Sequence, residues 1–182
     1  MIPIATRIVH AGHGRLAVFR LLNSVRGWDS RHTPAQDAHW ALGQIRDIVG
    51  DQLPICLVGH SLGGRAALLA ARATGVRSAV ALAPWVYPDD GAGGLPGREI
   101  LIVHGSRDRI ASPDNSAAVA RALSKTADVG YVRIEGGKHA MLKHHSLFDG
   151  LAADFAAATL LGTPQNAGPV ARVLAGERWI DI

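Results

Sequence analysis

Short apolar runs alternate with segments of helical periodicity along most of this chain, and this alternation restricts the folds open to it. Four runs are typical of strands buried on both faces: residues 53–58, 78–83, 100–103 and 129–134. The helical segments cover residues 33–49, 62–73, 112–124 and 146–161. Strands and helices in this order predict right-handed crossovers and a mostly parallel sheet with helices on both faces. The predicted fold class is therefore α/β.

Cap and turn residues support two of these helices. Thr33 followed by Pro34 and Gln36 predicts an N-cap, a first-turn proline and a capping-box partner. Ser112 followed by Pro113 repeats the cap and the proline. We therefore expect a helix to begin at each of these places.

Length and composition indicate a globular protein of one domain. The chain has 182 residues, of which 48% are hydrophobic and 19% charged. We predict a single domain over residues 1–162 and a C-terminal tail over residues 163–182 that packs weakly or forms one short helix. No stretch approaches the roughly 18 apolar residues of a membrane span, and Arg7 interrupts the apolar N-terminal run. We expect a cytoplasmic protein with no membrane partner, in which Cys56 is a buried, reduced thiol.

The net charge of +4 raises the question of nucleic-acid binding. The basic residues are scattered, and aromatic residues make up only 5% of the chain. A basic patch with interleaved aromatic side chains is therefore missing from the sequence, and we expect no nucleic-acid partner.

A G-x-S-x-G motif, Gly59-His60-Ser61-Leu62-Gly63, lies where a predicted strand passes into a predicted helix. A sharp turn at this junction holds the serine in a strained conformation, and flanking glycines leave room for the two backbones. The hydroxyl of Ser61 is then presented at the carboxyl end of the strand, beside the N-terminus of a helix. The alternative is an ordinary glycine-rich turn with a surface serine.

A nucleophilic serine needs a base, and the base needs an orienting acid. Asp108 follows the strand at residues 100–103, and His139 follows the strand at residues 129–134. Asp108 is therefore the candidate acid and His139 the candidate base. Asp108 could instead only cap its turn, and His139 could be a solvent-facing loop residue. We expect His104 to brace the acid loop.

Three motifs together, GHSLGG, HGSRDRI and GGKHAML, resemble the α/β-hydrolase superfamily of serine hydrolases. Over residues 15–161 the chain is most similar to small, lidless bacterial enzymes of the dienelactone-hydrolase or esterase kind. The resemblance implies a triad of Ser61, Asp108 and His139, with the backbone N–H of Leu62 as one oxyanion donor. It implies acyl transfer through an acyl-enzyme, without a metal or an organic cofactor.

Three further residues are candidates to contact the substrate. Trp85, next to Pro84, follows a predicted strand, and Met141 follows the base. His60 precedes the nucleophile and could line the cleft. Packing beside the turn is an equally good interpretation of His60, and a core position is an alternative for Trp85.

The N-terminal region departs from the family pattern. Residues 16–25 followed by Arg26, Gly27, Trp28 and Asp29 resemble the family's strand before the helix at Thr33, which leaves residues 1–14 as the preceding helix. The earlier strand, whose loop supplies the second oxyanion N–H, is then expected to lie outside this chain, and the domain to be N-terminally incomplete. Alternatively, residues 16–25 occupy that strand's place in the sheet and bring the loop at residues 26–29 near Ser61. An exposed sheet edge would favour a homodimer.

The leading functional prediction is a hydrolase of a small-molecule carboxylic ester or thioester, which could be a weak enzyme. The triad alone does not distinguish esters from thioesters or amides. The alternative is a truncated hydrolase or pseudo-hydrolase with an impaired oxyanion hole, acting at most as a binding or scaffold protein.

Overall fold

The computed structural model describes residues 1–141 and 143–182. Its helices are α1 (Ile2–Gly12), α2 (Thr33–Val49), α3 (Leu62–Ala70), α4 (Pro113–Leu123), α5 (His145–Leu161) and α6 (Pro169–Leu174). Its strands are β1 (Ile55–His60), β2 (Val76–Leu82), β3 (Glu99–Gly105), β4 (Asp128–Ile134) and β5 (Trp179–Asp181). A 3₁₀ turn spans Pro88–Gly91 between β2 and β3.

The five strands form one sheet in the order β1-β2-β3-β4-β5, and each neighbouring pair is parallel. The carboxyl ends of β1, β3 and β4 therefore lie along the same edge of the sheet. The predicted α/β class, with a mostly parallel sheet flanked by helices, is confirmed.

Alternating side chains of the strands enter two apolar cores, one on each face of the sheet. In β3, Leu101 and Val103 pack on one face with α1 and α5, whereas Ile100 and Ile102 pack on the other with α3 and α4. Because both faces are covered, the strands read as continuous apolar runs in the sequence.

The start of α2 differs from the predicted cap. Thr33 is the first helical residue, and His32 occupies the N-cap position without a side-chain cap bond. The carboxylate of Asp29 accepts hydrogen bonds from the Thr33 backbone N–H (2.9 Å) and hydroxyl (2.6 Å) instead. At α4 the predicted cap is present, since Ser112 Oγ accepts a hydrogen bond from the backbone N–H of Asn115.

The predicted strand over residues 16–25 was wrong, because this segment has no ladder in the sheet. Leu16 and Val18 pack against the core on the same face of the sheet as α1, while Phe19 and Leu22 are exposed, Leu22 by 92%. A short apolar segment suits a strand, but it forms one only beside a strand with free hydrogen-bonding groups. Among the described residues β1 is an edge strand with β2 as its neighbour.

Residues 163–182 contain the one short helix that was an alternative for this tail, α6, and a strand that the sequence pattern did not predict, β5. After α6, strand β5 pairs with β4, and Ile180 is only 2% exposed. A three-residue strand is too short to show a period in the sequence. No helix in the described part of the chain has the length and apolar character to span a membrane.

Candidate active site

Ser61 lies between the last residue of β1 and the first residue of α3, with backbone angles φ 55° and ψ −121°. A non-glycine residue with positive φ is uncommon, and its presence here marks a tightly constrained turn. A Cβ at Gly59 would lie 2.0 Å from the carbonyl oxygen of Gly63, so position 59 requires glycine. A Cβ at Gly63 would meet no atom within 4 Å. Of the two glycines in the motif, only Gly59 is needed for space.

Hydrogen bonds fix the backbone of this turn from two directions. The N–H of Ser61 donates to the carbonyl oxygen of Leu82 at the end of β2 (2.9 Å). The carbonyl oxygen of Ser61 accepts from the N–H groups of Arg65 (3.2 Å) and Trp85 (3.1 Å). The serine is therefore held by β2, by α3 and by the segment that follows β2.

Ser61, His139 and Asp108 form a continuous hydrogen-bonded series. Ser61 Oγ lies 2.9 Å from Nε2 of His139, and Nδ1 of His139 lies 2.8 Å from Oδ2 of Asp108. The three residues are far apart in sequence but follow the carboxyl ends of β1, β4 and β3. This is the geometry in which an imidazole can accept a serine proton while a carboxylate orients it.

Asp108 is held by more than the imidazole. Its Oδ1 accepts backbone N–H bonds from Ile110 (2.8 Å) and Ala111 (3.0 Å), and the residue is 7% exposed. Burial acts to raise the pKa of Asp108, but the hydrogen bonds from His139 and from these two amides outweigh it and lower the pKa. The carboxylate is therefore ionised at neutral pH.

His104 is fully buried and contacts the same carboxylate oxygen. Its Nε2 lies 3.0 Å from Oδ2 of Asp108, and its Nδ1 lies 2.7 Å from Oγ of Ser116 in α4. Burial lowers the pKa of His104, so the imidazole is neutral at neutral pH. His104 therefore contacts the acid directly, in the place expected from the sequence.

His60 contacts the segment that carries the base. Its Nε2 lies 3.0 Å from the carbonyl oxygen of His139, and its ring lies 4.9 Å from the His139 ring and 5.9 Å from that of Phe148. These contacts favour the packing interpretation of His60.

The other candidate substrate contacts lie in different environments. Trp85 is 38% exposed beside Ser61 and is accessible to a ligand. Met141 is 1% exposed, and its thioether packs against Gly137 in the base loop. The structure therefore does not present Met141 at the surface of a cleft. Leu62 is the first residue of α3, so its backbone N–H has no acceptor in a preceding helical turn and is available to an anion.

Arg65, one turn after the serine, forms a buried ion pair that the sequence analysis missed. Its guanidinium donates to both carboxylate oxygens of Asp90 (2.9 and 3.0 Å) and lies over the rings of Trp28 (4.3 Å) and Tyr87 (4.8 Å). The loop at residues 26–29 is thereby placed against the first turn of α3. A single cation in the apolar run LGGRAALLA was the available signal.

Ser116 was also missed. It occupies an inward position of α4, where a small polar residue gives no signal without its partner. Within the described residues no cluster of three or more potential metal-binding side chains occurs.

Residues 34–153 match the sequence model described as the alpha/beta hydrolase family. No curated protein matches the chain. The chain is similar to three solved structures from different bacteria. The first is a protein of unknown function from Agrobacterium tumefaciens that is described as an alpha/beta hydrolase candidate. The others are an esterase domain from Rhodothermus marinus and an alpha-beta serine hydrolase homologue from Coxiella burnetii.

The Agrobacterium protein has a TM-score of 0.68 at 17% identity, with 89% of this chain and 80% of that chain covered. The Rhodothermus domain has a TM-score of 0.61 at 16% identity, with 87% and 79% covered. The Coxiella protein has a TM-score of 0.62 at 20% identity, with 82% and 74% covered. At these identities the similarities show the fold.

Proposed function

The chain belongs to the alpha/beta hydrolase family, and we propose that it is a serine hydrolase that cleaves a small-molecule carboxylic ester or thioester. The proposal is carried by one observation, the hydrogen-bonded series from Ser61 Oγ through His139 to Asp108. The esterase domain from Rhodothermus marinus, which has the same fold, gives further support for ester substrates.

In the first half of the proposed reaction, Ser61 Oγ attacks the acyl carbon while its proton passes to Nε2 of His139. Asp108 stabilises the imidazolium through Nδ1, and the N–H of Leu62 donates to the negatively charged oxygen of the tetrahedral intermediate. His139 then returns the proton to the departing alcohol or thiol as the bond from the acyl carbon to that group breaks. The product of this half is an acyl-enzyme on Ser61.

In the second half, a water molecule gives a proton to His139 and attacks the acyl-enzyme. Collapse of the second intermediate breaks the bond to Ser61 Oγ, which takes back the proton. The products are a carboxylic acid and the free enzyme. Removal of one oxyanion donor typically costs about 10²–10³ in turnover. An oxyanion hole without its second donor would therefore slow ester cleavage by about this factor.

A fluorophosphonate probe tests the nucleophile directly. We expect the wild-type protein to be labelled and Ser61→Ala not to be labelled. The matched control is Ser146→Ala, which removes an exposed serine hydroxyl outside the site and should label as the wild type does. Turnover of acetyl esters and thioesters of aromatic leaving groups then tests the reaction. A folded wild-type protein that neither labels nor turns over these substrates would contradict the proposal.

A further inference from the structure

The carboxylate of Asp108 lies between two imidazoles. Its Oδ2 is 2.8 Å from Nδ1 of His139 and 3.0 Å from Nε2 of His104. The second nitrogen of each imidazole faces a serine hydroxyl, Ser61 at 2.9 Å and Ser116 at 2.7 Å. The site is therefore a five-residue series, Ser-His-Asp-His-Ser, with the acid at its centre.

The partners of His104 fix the position of its proton. Nε2 faces two acceptors, Oδ2 of Asp108 and the carbonyl oxygen of Ala111 at 3.3 Å. Neither oxygen has a proton to give, so the neutral imidazole carries its proton on Nε2 and donates it to Asp108. Nδ1 is left as an acceptor, and the Ser116 hydroxyl donates to it.

The Tyr131 hydroxyl supplies the hydrogen bond that Ser116 cannot give when Ser116 donates to His104. Ser116 Oγ also lies 2.9 Å from the carbonyl oxygen of Pro113, but its one proton is used by His104. The Tyr131 hydroxyl lies 3.1 Å from the same carbonyl oxygen and donates to it instead. Every polar atom in this half of the series therefore has a partner.

The half that contains Ser116 cannot react with substrate. Ser116 and His104 are both 0% exposed, whereas the half with Ser61 reaches the surface. Because the buried half is fully hydrogen-bonded and meets no solvent, its action on the reaction passes through Asp108.

We propose that His104 is a positioning residue for the Asp108 carboxylate. We also propose that its N–H group reduces the negative charge on Oδ2, the oxygen that accepts the hydrogen bond from His139. This inference rests on the serine hydrolase function proposed above. With two amides on Oδ1 and two imidazole N–H groups on Oδ2, the carboxylate has four donors and one orientation. The donor from His104 holds that orientation and weakens the pull of Asp108 on the imidazolium of His139.

The test compares His104→Leu, which removes the donor, with His104→Gln, whose amide Nε2 can donate in place of the imidazole nitrogen. We expect kcat of the leucine variant to fall about tenfold with KM unchanged, since the loss is one hydrogen bond acting on the acid. In a plot of kcat/KM against pH, the acid limb, which reports protonation of His139, should move to higher pH in this variant. The glutamine variant should keep the wild-type limb and most of kcat.

A spectroscopic signal makes the test independent of turnover. The proton between His139 Nδ1 and Asp108 should give a far-downfield ¹H NMR resonance. It should move further downfield in His104→Leu, because Oδ2 then has one donor fewer, and stay in place in His104→Gln. Ser116→Ala, which keeps the imidazole, should shift the resonance in the same direction by less.

Two outcomes would overturn the inference. One is a folded leucine variant whose pH limb and NMR resonance match the wild type, and the other is a glutamine variant that behaves as the leucine variant does. A wild-type protein that fails to label with fluorophosphonate would overturn the proposed function alone, since the resonance reports on Asp108 without any reaction.

Discussion

The Nε2 atom of His60 lies 3.0 Å from the backbone carbonyl oxygen of His139, which is 79 residues further along the chain. Burial is the main cause that lowers the pKa of His60, so its imidazole is neutral and donates a proton from Nε2 to this oxygen. The residue before the candidate nucleophile thus ties β1 to the loop that holds the candidate base.

His60→Phe should therefore lower kcat by about tenfold through loss of this hydrogen bond, with little change in KM. His60→Gln, which keeps a donor near the same place, should retain most of the activity. Steady-state kinetics with an acetyl ester of an aromatic alcohol measure both variants. A Phe variant with unchanged kcat and a raised KM would indicate substrate contact instead of packing.

Gly59→Ala should destabilise the protein by at least about 3 kcal/mol, because the added methyl group would collide with the backbone of α3. The control is Gly63→Ala, where a Cβ meets no atom within 4 Å. That change should be neutral or stabilising by up to about 1 kcal/mol, as expected for alanine in a helix. Urea unfolding of both variants measures the difference, and equal losses would refute the role given to Gly59.

Asp90→Ala should cost about 3–5 kcal/mol, because it leaves the buried guanidinium of Arg65 without its partner. The two side chains are only 9% and 7% exposed. Glu99→Ala is the matched control, since it breaks an ion pair with Arg77 whose side chains are 29% and 55% exposed. That exposed pair should contribute less than about 1 kcal/mol. Similar free energies of unfolding for the two variants would contradict this account.

Stability should fall as the pH decreases below about 6.5, the ordinary pKa of histidine. Burial lowers the pKa of both His60 and His104 in the folded protein. The unfolded chain then binds protons that the folded protein does not, so acid favours unfolding. Each histidine adds a slope of up to about 1.4 kcal/mol per pH unit between its unfolded and folded pKa.

Replacing one of these histidines shows how much it contributes to the pH dependence of the free energy of unfolding. His104→Gln removes one titrating group, so its free energy of unfolding should fall less steeply from pH 7 to pH 5 than that of the wild type. Urea unfolding at several pH values measures the slopes. Identical slopes would contradict the prediction, because they would show that the pKa of His104 is the same in the folded and unfolded states.

The sequence predicted those parts of the fold that local patterns determine. Four apolar runs, typical of strands buried on both faces, predicted β1 to β4. The G-x-S-x-G motif with Gly59 and Ser61 indicated the tight turn between β1 and α3. Sheet order then explains why Asp108 and His139, each just after a strand, lie near Ser61. The family resemblance stated on the three motifs is confirmed by the match over residues 34–153.

Features that depend on distant partners could not be predicted in this way. Residues 16–25 are apolar enough for a strand, but pairing is decided by a neighbour and not by the segment itself. The partners of Arg65, namely Asp90, Trp28 and Tyr87, come from separate loops. Ser116 and Ile180 likewise acquire their places only when α4 and the C-terminal residues pack on the sheet.

The strand that delivers Ser61 is β1, which has β2 on one side and no strand on the other among the described residues. The free energy of local unfolding is lower for an edge strand than for a strand in the interior of a sheet. Fraying of β1 would displace the hydroxyl of Ser61 while β2, β3 and β4 stay intact. On heating, catalytic activity should therefore be lost at a lower temperature than the one at which the whole sheet unfolds.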